Sequence, residues 1–160
     1  MAFYQFKRAQ LVPANLDEVW DFISSPANLQ KITPPSMGFE ITSGELPEKM
    51  YRGMIIRYRV RPMLGIPTTW VTEITQVEEG KFFVDEQRVG PYTMWHHEHH
   101  LEVQAGGIFM RDIISYQPPL GILGAVANKL FIRAQLNRIF DYRNQILTEV
   151  FGYNNPQLKV

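Results

Sequence analysis

Between Gly38 and Gln117 the chain carries six runs rich in β-branched and aromatic residues, and no connection between them is long enough for a crossover helix. The runs are Gly38–Ser43, Gly53–Arg61, Thr68–Val77, Lys81–Val89, Tyr92–Gln104 and Ile108–Gln117, separated by Gly, Pro and Glu-Gly punctuation. Strands joined this tightly pair with their neighbours, so the spacing predicts an antiparallel meander. A further strand is expected at Ala2–Val12, although Tyr4 and Phe6 on one face and Phe3 on the other leave its buried side open. Asn15 then caps a helix running to Ile23, with Asp17 and Glu18 in its first turn and Leu16, Val19, Trp20 and Ile23 at helical spacing. Ser25-Pro26 starts a second short helix that ends before Thr33-Pro34-Pro35. Beyond Pro119 the strand pattern stops, and Leu123–Phe151 reads as one long helix.

That order is α+β: about seven strands in a curved antiparallel sheet, two short helices after the first strand, and a long C-terminal helix on one face. A sandwich of this kind commonly encloses a cavity between its layers. No repeat, linker or low-complexity tract interrupts residues 1–160, so one domain is expected.

Composition narrows the chemistry. The chain has no cysteine, which removes disulfide, zinc-thiolate, iron–sulfur and cysteine-nucleophile readings. Sixteen basic and sixteen acidic side chains balance, against the basic excess of a general nucleic-acid binder. Neither a phosphate-binding glycine loop nor a Gly-x-Ser-x-Gly elbow occurs. Residues 1–12 mix Gln, Lys and Arg with apolar side chains and so lack the apolar stretch of a signal peptide. Leu120–Ile132 is interrupted by Asn128 and Lys129 and falls short of the roughly 20 residues a bilayer span needs. We therefore expect a cytoplasmic protein without stable membrane insertion and without a nucleic-acid partner.

The long helix carries a phase conflict. Leu123, Val126, Ala127, Leu130, Phe131 and Ala134 occupy one side of its wheel, while Ile132, Leu136, Ile139, Phe140, Ile146, Leu147 and Val150 occupy nearly the opposite side. One straight helix cannot bury both stripes on one sheet. Loops and the short helices are expected to cover the first stripe; a cavity lid, a homodimer surface or a membrane-touching patch is the alternative. Arg143 lies within the second stripe and needs a carboxylate or carbonyl partner there.

The most unusual segment is Trp95-His96-His97-Glu98-His99-His100. Strand alternation sets Trp95, His97, His99 and Leu101 on one, more apolar face and His96, Glu98 and His100 on the other. His97 and His99 stand roughly 6.6 Å apart along such a strand. Asp85 and Asp112 are the carboxylates available to them. Three readings stay open: a satisfied polar network, an acid/base or ligand-contacting set, and a metal site completed by a third ligand from a neighbouring strand. Two histidines with distant acids signal a metal weakly, so neither a metal nor another cofactor is assigned. Arg57, Arg59 and Arg61 alternate with Ile56, Tyr58 and Val60 and read as a solvated outer face, while Trp70, Thr72 and Ile74 read as wall. Met37, Met50, Met54, Met63, Met94 and Met110 either line an adaptable pocket or fill gaps in the core.

Taken together, Pro13-Ala14 with Val19-Trp20, Ile32–Phe39, Phe83–Gln87, Gly90-Pro91-Tyr92, Trp95–His99, Met110-Arg111-Asp112, Tyr116 with Pro118, and Ile139–Arg143 resemble the START-like helix-grip (SRPBCC) superfamily. The nearer resemblance is to its bacterial cyclase/dehydrase-like, ligand-binding family, some members of which are labelled cell-division-inhibitor-like. The resemblance implies a sheet wrapped around the C-terminal helix and a deep apolar cavity for a hydrophobic ligand. It implies no single reaction.

The leading expectation is thus a binder of a small hydrophobic or aromatic molecule. Trp70, Trp95 and Tyr116 would wall the ligand, and Asp85, Gln87, His97, His99 and Arg143 would contact or orient its polar atoms. The alternatives are a polyketide cyclase/dehydratase-like enzyme with His97 or His99 as base and Asp112 as its orienter, and a non-catalytic protein-interaction module.

Overall fold

The computed structural model describes residues 3–152 except Leu64, and the side chain of Met63 lies outside the described residues. Seven strands form one antiparallel sheet in the order β1-β7-β6-β5-β4-β3-β2. They are β1 (Tyr4–Val12), β2 (Glu40–Ile41), β3 (Ile55–Met63), β4 (Ile66–Glu78), β5 (Phe82–Val89), β6 (Met94–Gln104) and β7 (Gly107–Gln117). From β2 to β7 each strand pairs with the next in sequence, as the short connections dictate; β1 closes the order by pairing along β7. The expected run Gly38–Ser43 shrinks to the two residues of β2, because Gly38 turns the backbone left-handed (φ 53°) just ahead of it.

Helix α1 (Leu16–Ile23) has the cap its sequence announces. The Asn15 side chain accepts from the Glu18 amide at 2.9 Å, and the Glu18 carboxylate accepts from the Asn15 amide at 3.3 Å. Its Val19, Trp20 and Ile23 are buried against the sheet, with Trp20 edge-on to Phe83. On β1 it is Phe6 that is buried and Phe3 that faces solvent.

The C-terminal helix resolves the phase conflict in an unexpected way. Helix α2 (Ile122–Ala127) passes through a π turn at Asn128–Ile132 into α3 (Arg133–Leu147), and a second π turn follows at Thr148–Gly152. Gly124, Asn128, Ile132, Leu136 and Phe140 are all buried, each four residues from the last. In a pure α-helix that spacing drifts about 40° per step, because 3.6 residues make a turn. The wider π turn, with its i→i+5 bonds, takes up the drift and keeps these positions on the sheet side. Gly124 is required there: a Cβ at this position would sit 2.1 Å from the Pro119 carbonyl oxygen. Tyr116 donates to Asn128 Oδ1 at 2.6 Å and fixes the start of the π turn to β7.

Among the described residues nothing covers the first stripe: Leu123, Val126, Leu130 and Phe131 are between 50% and 69% exposed, on the side of the helix opposite the buried Ile132, Leu136 and Phe140. Among the described residues no helix is long and apolar enough to cross a membrane. Two neighbours across the π turn should therefore respond oppositely to truncation. Ile132→Ala is expected to lower the stability read from urea denaturation by about 2–5 kcal/mol. Leu130→Ala should stay within about 0.5 kcal/mol of the parent protein.

Candidate ligand cavity and its histidine–aspartate floor

Between the sheet and α3 lies a cavity of about 180 Å³. Its sheet wall comes from the inward phase of β3, β4, β5 and β6, including Tyr58, Trp70, Phe83 and Trp95. Its roof comes from Ile132, Leu136, Ile139 and Phe140 of the C-terminal helix, and Ile32, Thr33, Met37 and Phe39 close one side. The aromatic wall is continuous: Tyr58 stacks near Trp70 (6.1 Å, 14°), and Trp70 meets Trp95 edge-on (5.2 Å, 89°). Trp70 Nε1 is buried without a hydrogen-bond partner, whereas the Tyr58 hydroxyl and Thr72 Oγ1 bond each other at 3.0 Å.

The floor is ionic, and sheet register builds it. The two-residue turn Ala105-Gly106 pairs Gln104 with Gly107 and thereby sets His99 opposite Asp112. On the other side of β6, the β5 register sets His97 opposite Asp85. The imidazoles of His97 and His99 lie close and tilted, centroids 3.7 Å apart with planes at 39°, and Phe83 stacks on His99 at 4.0 Å. Each ring bridges both carboxylates. His99 Nε2 is 2.7 Å and His97 Nδ1 3.4 Å from Asp85 Oδ2; His99 Nδ1 is 2.9 Å and His97 Nε2 3.1 Å from Asp112 Oδ1. Arg143 reaches the same Asp112 oxygen from α3 at 3.0 Å, the carboxylate partner its place in the apolar stripe demands.

His97, His99, Asp112 and Arg143 are buried and Asp85 is mostly so, which makes their charges act more strongly on one another than at the surface. Burial pushes both carboxyls up but is outweighed. His97 and then His99 hold Asp85 far below the usual carboxylate range, and Arg143 with both histidines does the same for Asp112. Burial pushes His97 down, yet the Asp85 charge and hydrogen bonds to both carboxylates hold it above its ordinary value. Burial, reinforced by the Asp85 charge, raises the Tyr58 phenol far beyond its usual range, so it remains a neutral donor.

Of the residues singled out in the sequence, Trp70, Asp85, Trp95, His97, His99 and Arg143 line this cavity. Asp112 stands behind the histidines, on the side away from it, in the position of an orienter. Gln87 and Tyr116 do not line it. Gln87 clasps the backbone of Tyr92, donating to its carbonyl at 2.7 Å and accepting from its amide at 3.2 Å. Tyr116 packs behind Trp95 with its hydroxyl committed to Asn128. Met37 and Met50 line the cavity, Met54 and Met110 are core, and Met94 is exposed. Arg57, Arg59 and Arg61 face solvent. Tyr58, Phe83, Tyr92 and Phe140 line the cavity without having been singled out; Tyr58 was readable as the inward phase between those arginines.

No protein-family model matches the chain, and no match was found among curated proteins. Solved structures do match. A Chromobacterium violaceum protein, CV1439, aligns with TM-score 0.69 at 9% identity, over 92% of this chain and 96% of the other. Ara h 8.0201 aligns with TM-score 0.66 at 11% identity, over 96% of this chain and all of the other. The fold is the helix grip. Major latex-like protein 151 from Panax ginseng shares this helix grip, with TM-score 0.67 at 11% identity over 93% and 97% of the two chains.

The buried ion cluster should behave unlike the surface pairs on the opposite face of the sheet. Arg143→Met leaves Asp112 without its cation and is expected to cost about 3–5 kcal/mol in chemical denaturation. Arg88→Met, which removes exposed pairs to Glu73 and Glu86, should change stability by no more than about 1 kcal/mol.

Proposed function

We propose that this protein encloses a small apolar or aromatic molecule with one polar end between the sheet and the C-terminal helix. The observation that carries the reading is the cavity itself, apolar and aromatic along its length and ending on Asp85, His97 and His99. Burial of ligand surface supplies the affinity, and the floor sets the direction in which the ligand lies. An apolar cavity of about 150 Å³ takes up benzene. The volume here, about 180 Å³, matches a single-ring ligand without rearrangement. The unpartnered indole Nε1 of Trp70 offers a further hydrogen bond to a ligand oxygen.

Acid/base chemistry on such a ligand is the second reading. It is favoured by His97 lining the cavity while its Nε2 is held from behind by Asp112. On that reading the bound molecule is converted, with a rate that collapses in His97→Ala while uptake persists.

Uptake is tested with phenol, benzoate and toluene, followed by ligand-observed NMR, together with native mass spectrometry of the freshly purified protein. Saturable binding of at least one probe is expected, and Leu136→Trp, which fills the roof, should abolish it while the circular dichroism spectrum is kept. Equal binding by Leu136→Trp, or no probe binding and no co-purified organic mass, would sink the reading.

A further inference from the structure

We propose that Asp85 Oδ2, His97 Nδ1 and His99 Nε2 form a divalent transition-metal site at the floor of the cavity. This goes beyond enclosure of an organic ligand and stands without it.

The geometry is that of a three-donor site. One donor atom from each residue lies within 4.8 Å of the others, on the two adjacent strands β5 and β6. Metal–ligand bonds of about 2.0–2.2 Å place neighbouring donors about 3–3.4 Å apart around an ion. Asp85 Oδ2 stands 2.7 Å from His99 Nε2 and 3.4 Å from His97 Nδ1, so an ion enters with small movements of side chains. Two imidazoles and one carboxylate suit zinc, iron(II) or cobalt(II), and three protein donors leave further positions open, here towards the cavity.

The second observation is behind the histidines. Ligating imidazoles characteristically hand their other ring N–H to a carboxylate. Asp112 takes that place for His97, whose Nε2 it bonds at 3.1 Å, and stands 2.9 Å from His99 Nδ1 as well, while Arg143 holds Asp112. Counting donors sharpens the point. Two neutral imidazoles bring two N–H groups, yet all four ring nitrogens face carboxylate oxygens. Spending both N–H groups on Asp112 leaves two nitrogen lone pairs converging on an Asp85 oxygen. Three converging lone-pair donors call for positive charge between them, supplied by a proton on an imidazole or by a metal ion, and a cobalt titration tells the two apart. His99 Nδ1 is buried and makes no aligned hydrogen bond at its 2.9 Å from Asp112, and a small rotation of the ring on ion binding would supply one.

The competing metal binder is the outer face, where His96 and His100 meet Glu86 and Glu98. The double variant His96→Gln/His100→Gln removes it without touching the interior. Metal-stripped parent protein and this variant are titrated with Co²⁺, reading the visible absorption bands and the paramagnetically shifted imidazole N–H signals by NMR. One equivalent is expected to bind in both proteins, with two shifted exchangeable signals. Asp85→Asn, close to the parent in shape, should weaken binding at least tenfold, with folding checked by circular dichroism. The proposal is overturned if the folded double variant takes up no cobalt, or if it shows fewer than two imidazole signals. Unchanged affinity in folded Asp85→Asn would overturn it equally. Probe uptake by the metal-free protein is measured separately, so loss of the metal site and loss of the ligand reading are told apart.

Discussion

Asp112 is the point on which the sheet, the long helix and the cavity all depend. Its carboxylate sits on β7, meets His97 and His99 of β6, and is the only acid contacted by Arg143 of α3 among the described residues. Desolvating such a group costs several kcal/mol, which only close opposite charges and hydrogen bonds can offset. The offset is available in one arrangement: α3 must lie across β6 and β7 at the height where Arg143 reaches the carboxylate. The same arrangement brings Phe140 and Leu136 over the sheet and so roofs the cavity. Apolar contacts alone would let the helix slide by a turn at modest cost, whereas a slide here would strand a buried charge. The ion cluster therefore sets the register between helix and sheet, and the cavity volume follows from that register.

Upstream of Arg143 the helix has a second fixed point, the Tyr116–Asn128 hydrogen bond, and the two anchors are fifteen residues apart. A regular α-helix would spread both positions and the buried residues between them over an arc of about 120°. The π turn at Asn128–Ile132 narrows that arc. On the opposite side of the wheel Leu123, Val126, Leu130 and Phe131 form an apolar stripe that nothing among the described residues covers.

This explains which parts were legible in the sequence. Strand order, the Asn15 cap and the inward phase of His97 and His99 depend on alternation, turn residues and capping chemistry, all of which act over a few residues. The pairing of His99 with Asp112 was within reach too, since Ala105-Gly106-Gly107 restricts the hairpin register. The two opposed apolar stripes of the last helix are legible at 3.6-residue spacing; the π turn is not, because it has no marker in that spacing, and among the described residues the first stripe is left exposed rather than covered by a loop. Gln87 and Tyr116 do not line the cavity, for another reason. Each sits on a strand near cavity residues, yet one is drawn to the Tyr92 backbone and the other to Asn128. Such partners lie in other segments and are invisible before the fold is known.

A buried cluster of two acids, two imidazoles and a guanidinium is a poor route to stability. Replacing such groups by apolar side chains of like volume is often neutral or stabilising by about 1–4 kcal/mol. The surrounding cavity makes the cost higher still, since the same wall forgoes the packing contacts that a filled core would have. Both features are unfavourable for folding, and they occupy the same place: the void opens on the charged face formed by Asp85, His97 and His99. Packing demands neither. Their coincidence is accounted for if the void receives a molecule and the charged floor acts on its polar end. The same coincidence separates this site from the ion pairs on the outer face of the sheet, which are partly exposed to solvent.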